Sequence, residues 1–327
     1  MRRALAVLAL ALLPLLSGCG GEEEDDGGLA PDGDASGSPS ATTPDGVGVT
    51  DLDEAPVGVA GVDGGWWAAL PDAGAVRTAD GASVAVGSLP LRLVTTPQGV
   101  WVSVIGDGRL VRIDPATGEV DRQVRLRPRD SEPEGLAYDG RTLWVVDQAG
   151  DRVLPVDPAT GDVGAAVRVG HEPRLVAAGP SGVFVGNYTE GSVTRVVDGR
   201  GTTRNAGSCL SPQGLAEAAG VVWVACTVDG QVVGLDAESL QPVVELPDLP
   251  YADAVVADRD TVYVVGQEGP TVWTIDARTQ EVTGELVLDA APSTRENVGA
   301  ALVGSTLVVT HPEVRRAYEV PVSALGR

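Results

Sequence analysis

The chain has 327 residues, with 46 acidic side chains against 23 basic ones, giving a formal charge of −23 and an isoelectric point near 4.3. That balance excludes nucleic acid as an expected partner, because binding a phosphate backbone requires a basic surface. Every basic residue is Arg, and the 43 Gly and 23 Pro supply turn residues in quantity.

Met1-Arg2-Arg3 is a basic start, and the apolar run from Ala4 to Leu16 is too short for a finished membrane span, so residues 1–18 read as a signal peptide. Leu16-Ser17-Gly18-Cys19 resembles the bacterial lipobox. By that resemblance Cys19 becomes the diacylated first residue of the mature protein, and two or more acyl chains give stable membrane attachment. The alternative is an ordinary secretory peptide cut near the same place. Residues 19–46 contain Glu22, Glu23, Glu24, Asp25 and Asp26 among many Gly, Ser, Thr and Pro, with no aromatic and no basic residue. Such a segment cannot build a core and reads as a disordered acidic tether.

From residue 47 the chain repeats. Pro56, Pro90, Pro133, Pro173 and Pro212 each stand eleven residues before a large aromatic: Trp67, Trp101, Trp144, Phe184 and Trp223. The same offset reaches Tyr263 and Val308, so seven anchors are separated by 34, 43, 40, 39, 40 and 45 residues. A period near forty marks a propeller or solenoid. Six of the twelve aromatics sit on these anchors, which assigns them to packing. An aspartate follows five anchors by thirteen residues (Asp80, Asp114, Asp157, Asp236, Asp276), and Asp198 comes one residue late. In Asp114-Pro115-Ala116-Thr117-Gly118 and Asp157-Pro158-Ala159-Thr160-Gly161 the Asp can accept backbone N–H groups and Gly can take positive φ, which is tight-turn chemistry. Calcium at these turns is the weaker reading.

The third unit shows the plan most clearly, with strands expected at Pro133 to Tyr138, Thr142 to Val146, Val153 to Val156 and Val163 to Val169. Four short strands per forty residues, and no sustained helical periodicity, predict an all-β, seven-bladed propeller with four-stranded blades over residues 47–327. The seventh unit has strands at Val298 to Leu302, Thr306 to Val309 and Ala317 to Val320 but little chain left for a fourth. Val47 to Leu52 is the spare strand and is expected to pair there, closing the ring and removing a bare edge. With Cys19 lipidated, Cys209 and Cys226 remain; a hairpin over residues 209–226 brings them to one rim as a disulfide, two buried free thiols being the alternative.

Pro-x-Gly-Leu, Leu-Trp-Val and Asp-Pro-Ala-Thr-Gly resemble the YVTN and streptogramin-lyase type of seven-bladed β-propeller, over roughly residues 47–322. The resemblance implies the fold; members of that superfamily include binding proteins, scaffolds and enzymes, so function has to come from a site.

The innermost strand of a propeller blade starts at one face, which places the residue after each register proline near the channel mouth. That row is Val57, Leu91, Glu134, Arg174, Gln213, Asp253 and Val298, apolar in blades 7, 1 and 2 and polar in blades 3 to 6. The residue before the proline gives Ala55, Leu89, Glu132, Glu172, Ser211, Tyr251 and Glu296. Second-strand ends give Leu70, Val104, Asp147, Asn187, Cys226, Gly266 and His311, with Gln148, Tyr188 and Gln267 alongside. The expected ligand-binding set is Glu134, Arg174, Gln213, Asp253, Asp147, Asn187, Gln267 and His311, lining a half-polar, half-apolar pocket. A solvated ion-pair network of Glu134, Arg174 and Asp253 around an unused channel is the plainer alternative.

The streptogramin-lyase resemblance implies a His with a nearby acid and a divalent cation, for which His311 and Glu313 are the candidates; His171-Glu172 reads as a polar loop pair. The surroundings of His311 do not match the lyase motif, so no catalytic residue is assigned. There is no Gly-rich phosphate loop, zinc-spaced Cys/His cluster or nucleophile elbow. The expectation is a membrane-anchored, extracytoplasmic monomer that binds a small ligand, peptide or protein partner at one face without turnover, with no cofactor and no metal. A metal-dependent lyase or lactonase is the alternative.

Overall fold

A computed structural model describes residues 43–294 and 297–326. The signal peptide, Cys19, most of the tether and Glu296 lie outside the described residues.

Seven four-stranded antiparallel sheets make the blades. Their innermost strands are Val59–Val62, Pro90–Thr96, Pro133–Tyr138, Pro173–Gly179, Pro212–Ala218, Ala252–Asp258 and Gly299–Val303. In the seventh blade the outer strand is Gly48–Asp51, which pairs antiparallel with Arg316–Pro321, Gly48 facing Glu319 and Asp51 facing Arg316. The N-terminal strand therefore closes the ring.

Burial follows position in the blade. The second strand Val221–Cys226 is buried at every residue because it is covered on both faces, whereas the outer strand Glu119–Arg125 has no fully buried residue and carries Glu, Asp and Arg toward solvent. Each anchor packs onto the next blade. Trp67 joins Val100 and Val111 of blade 2, Trp101 joins Leu143 and Leu154 of blade 3, and Trp144 joins the core between blades 3 and 4. Phe184 meets Val222, Trp223 meets Val262 and Trp273, Tyr263 meets Tyr318, and Val308 meets Trp66 of blade 1. Seven apolar clusters thus sit one at each junction between blades. Each large anchor removes apolar area from water where two blades meet, which is what holds the ring together.

One expected strand is shorter than its hydrophobic pattern suggested. The fourth strand of blade 3 is Val167–Arg168, with Val163 held only by a bridge to Val156. Pro155 in the third strand has no N–H to donate, and its carbonyl instead accepts Gly164 N–H at 2.8 Å, so the ladder breaks between the two paired stretches.

Near the axis the innermost strands almost touch. A Cβ on Gly58, Gly135, Gly214 or Gly299 would stand 2.3, 2.5, 2.2 and 2.3 Å from a carbonyl oxygen of the following blade. These glycines occupy one register position in blades 1, 3, 5 and 7. At the same position blades 2, 4 and 6 carry Arg92, Leu175 and Ala254, and the residues three places earlier, Leu89, Glu172 and Tyr251, have positive φ. Odd blades thus carry glycine at this crowded position, and even blades a side chain preceded three places earlier by a left-handed residue.

Candidate functional site

In blades 2 to 5 the innermost strand is bulged immediately after its first residue: Pro90, Pro133, Pro173 and Pro212 pair with the ends of their second strands, and regular pairing resumes only at Leu93, Leu136, Val176 and Leu215. Blade 6 has a shorter irregularity between Ala252 and Ala254. A bulge adds a residue and re-aims the side chains around it. Here it offers the two residues after each proline to the mouth, where strict alternation would offer one.

At that mouth lies a cavity of about 230 Å³ lined by Val57, Leu91, Arg92, Ile105, Glu134, Gln148, Arg174 and Asn297. Val57, Leu91 and Ile105 form its apolar wall. Below it runs a central channel space of about 180 Å³ to which all seven blades contribute, and Arg92 lines both. Arg92 interrupts the apolar sector expected over blades 1 and 2. The sequence signal for it lies one row further on, where the other blades have Gly, Leu or Ala.

Glu134 and Asp253 are 6% and 1% exposed. Burial raises the Glu134 carboxyl above its ordinary value, opposed by Arg92 and Arg174. Burial likewise pushes Asp253 up to about 6, opposed by Arg92, by Val298 N–H, which it accepts at 2.7 Å, and by Gln267 Nε2, at 3.2 Å. Among the described residues the Glu134 carboxylate and the Arg92 guanidinium have no hydrogen-bond partner, and neither forms an ion pair. Gln213, 2% exposed, leaves both its amide oxygen and nitrogen without a partner among the described residues. Arg174 reaches Glu172 Oε1 at 3.3 Å and lies over the Tyr188 ring at 4.1 Å, while its buried Nε is unpartnered.

The backbone of this row is fixed between blades. Ser103 Oγ accepts Arg92 N–H at 3.1 Å and donates to the Glu134 carbonyl at 2.7 Å. Thr310 Oγ1 does the same across the ring closure, accepting Gly299 N–H and donating to the Val57 carbonyl.

Of the expected set, Glu134, Arg174, Gln213 and Asp253 share one register row around the axis, and Gln267 joins them through Asp253. Asp147 and Asn187 turn to their own third strands: Asp147 binds Arg152 Nε and Nη2 at 2.8 and 2.6 Å and accepts Glu132 N–H, and Asn187 Nδ2 donates to Ser192 and Thr194. Asp147 is thus committed within its blade, whereas Asn187 keeps its buried Oδ1 without a partner among the described residues. Gln148, one residue after Asp147, is the one that reaches the cavity. Cys226, in the same row, is bonded to Cys209 with their Cα atoms 5.4 Å apart.

His311 is fully buried; its Nε2 donates to the Gln267 carbonyl at 2.8 Å and its Nδ1 has no partner among the described residues. Burial holds its pKa below the ordinary imidazole value, against the Gln267 hydrogen bond and the charges of Glu313 and Asp289. His171, by contrast, is exposed beside Asp151, its Nδ1 3.2 Å from the carboxylate.

No family model matches the sequence, and no curated protein matches it. Among 1371 matching chains of known structure is one titled "Streptogramin B lyase structure", with a TM-score of 0.68 at 14% identity, covering 84% of this chain and 97% of that one. An architecture shared so widely carries no chemistry by itself. The comparison establishes that this chain folds as a propeller of the same architecture as that lyase.

Proposed function

We propose that this propeller is a recognition module that binds a small ligand, peptide or protein partner at its channel mouth without turning it over, held outside the cell membrane by lipid on Cys19. The supporting observation is Gln213. A buried amide with no partner costs about 1–3 kcal/mol, and this one stands in the register row of Glu134, Arg174 and Asp253. Gln213 itself lies outside the cavity lining, but Glu134 and Arg92, which line it, are likewise without a side-chain hydrogen-bond partner among the described residues, and such groups are ones a ligand can satisfy. Partner capture from membrane extracts tests this: Glu134→Ala/Arg174→Ala should abolish it, and Glu119→Arg/Glu281→Arg, on the far rim, should not. Equal behaviour of the two pairs would sink the proposal. Anchoring is tested apart from binding, since Cys19→Ser should release the protein from the membrane fraction and unchanged fractionation would contradict the lipid.

The lyase alternative has the structural likeness behind it but weaker local support. His311 is sealed in the wall and spends Nε2 on a backbone carbonyl. A specific Mg²⁺ or Ca²⁺ site would raise the unfolding midpoint by linkage. We expect no such rise; one that His311→Ala removes would favour the lyase.

A further inference from the structure

Three charged side chains line the mouth cavity from three blades, Arg92 from blade 2, Glu134 from blade 3 and Arg174 from blade 4, and a fourth, Asp253 of blade 6, lies buried in the register row of Glu134 and Arg174. They are close enough that both guanidinium groups act on both carboxyls. Yet no ion pair joins either arginine to either acid among the described residues; the nearest is Arg174 with Glu172, at 3.3 Å. The two carboxyls are buried and the two arginines half-buried, and a charge withdrawn from water gains most by direct contact with its opposite. Their separation is imposed by the scaffold. Each sits on a bulged or irregular strand start, and Ser103 clamps the Arg92 and Glu134 backbones.

Such an arrangement presents both signs across a gap, and the gap is small. A cavity of about 230 Å³ falls below the range of roughly 300–1,000 Å³ usual for drug-sized ligands, which restricts an occupant to few heavy atoms. A lone anion would satisfy the arginines and leave Glu134 desolvated; a lone cation would do the reverse. We propose that the channel mouth binds a small zwitterion of the α-amino-acid class, its carboxylate received by Arg92 and Arg174 and its ammonium by Glu134, with Val57, Leu91 and Ile105 against its apolar part. This deepens the recognition reading and rests on it. The carboxylate is the group whose geometry a guanidinium fork matches, and among the described residues the Arg92 guanidinium has no acceptor.

Calorimetric titration of the full-length protein in detergent with each of the twenty α-amino acids, and with propionate and propylammonium as half-ligands, tests the class. At least one amino acid should bind with a dissociation constant below about 1 mM, and both half-ligands at least tenfold more weakly. Arg92→Gln and Glu134→Gln should each weaken the amino acid at least tenfold, and Glu119→Arg should leave it unchanged. The half-ligand comparison needs no variant, so it holds even if Arg92→Gln fails to fold. A half-ligand binding as tightly as the zwitterion overturns the proposal, as does the absence of binding by any amino acid. If partner capture still depends on Glu134 and Arg174 in either case, the recognition reading stands and only the ligand class is wrong; if it does not, both fall.

Discussion

At the rim away from the mouth, Asp157 accepts Ala159 and Thr160 N–H at 2.7 and 3.1 Å, Asp276 accepts Arg278 and Thr279 at 2.8 and 3.0 Å, and Asp236 accepts Ser239 through both its N–H and its hydroxyl. At the mouth, Glu134 has no such partner among the described residues and Asp253 has two donors in a fully buried setting. Hydrogen bonds hold Asp236 and Asp276 below the usual carboxylate range, while burial holds Glu134 and Asp253 above it. The same chemical group stabilises the turns on one side and is held at a cost on the other. Scaffold and site can be separated in this ring by asking where each carboxylate's hydrogen bonds go.

The largest expected contrast is in backbone crowding. Gly214→Ala places a Cβ 2.2 Å from the Asp253 carbonyl and should cost about 3 kcal/mol, whereas Gly118→Ala, in an open turn at φ 71°, should cost about 1 kcal/mol. Urea denaturation measures both, and equal losses would mean that the axis relaxes around added bulk.

Next comes pH. With its pKa raised to about 6, Asp253 favours the folded state fully below its unfolded value near 3.8, and that contribution is lost as pH rises through 6. A rise from 3.8 to about 6 corresponds to about 3 kcal/mol, and Asp253→Asn should flatten that part of the stability profile between pH 4 and 6. Asp276 has the opposite sign, its contribution present above its unfolded value and lost as pH falls. A profile for Asp253→Asn that parallels the wild type would contradict the raised pKa.

Asp139, at the far rim, accepts Arg141 and Thr142 N–H and Trp144 Nε1 at 2.9, 2.6 and 2.7 Å. Burial alone would raise its pKa, but these donors overcome it and hold it low. Asp139→Ala should cost about 1 kcal/mol at neutral pH and leave ligand capture intact. Lost capture would place part of the site on the wrong rim.

Most of the scaffold is legible in the sequence because it repeats. The proline-to-aromatic register locates seven anchors that each pack on the next blade, and the missing fourth strand of the last blade identifies Gly48–Asp51 as its partner. In blade 3 the pattern overstates the outer strand, because Val163 to Val169 has the right residues while Pro155, on the neighbouring strand, lacks the donor. The candidate site is legible by row and not by side chain. Reading one residue per blade finds Glu134, Arg174, Gln213 and Asp253 but passes over Arg92, since period-two alternation sends consecutive residues to opposite faces and only the bulge turns both to the mouth. Asp147 and Asn187 share a row with His311, yet what each binds depends on the first residues of the third strand, Arg152 and Ser192, which the register does not compare.

The most direct test joins stability and recognition in one variant. Gln213→Leu replaces a buried amide that has no partner among the described residues with a somewhat shorter apolar group and should raise the unfolding free energy by about 1 kcal/mol. Partner capture measured on the same protein should fall below detection. A more stable Gln213→Leu that captures its partner as well as the wild type would show that the polarity of the mouth is tolerated by the fold and is not what the molecule uses for recognition.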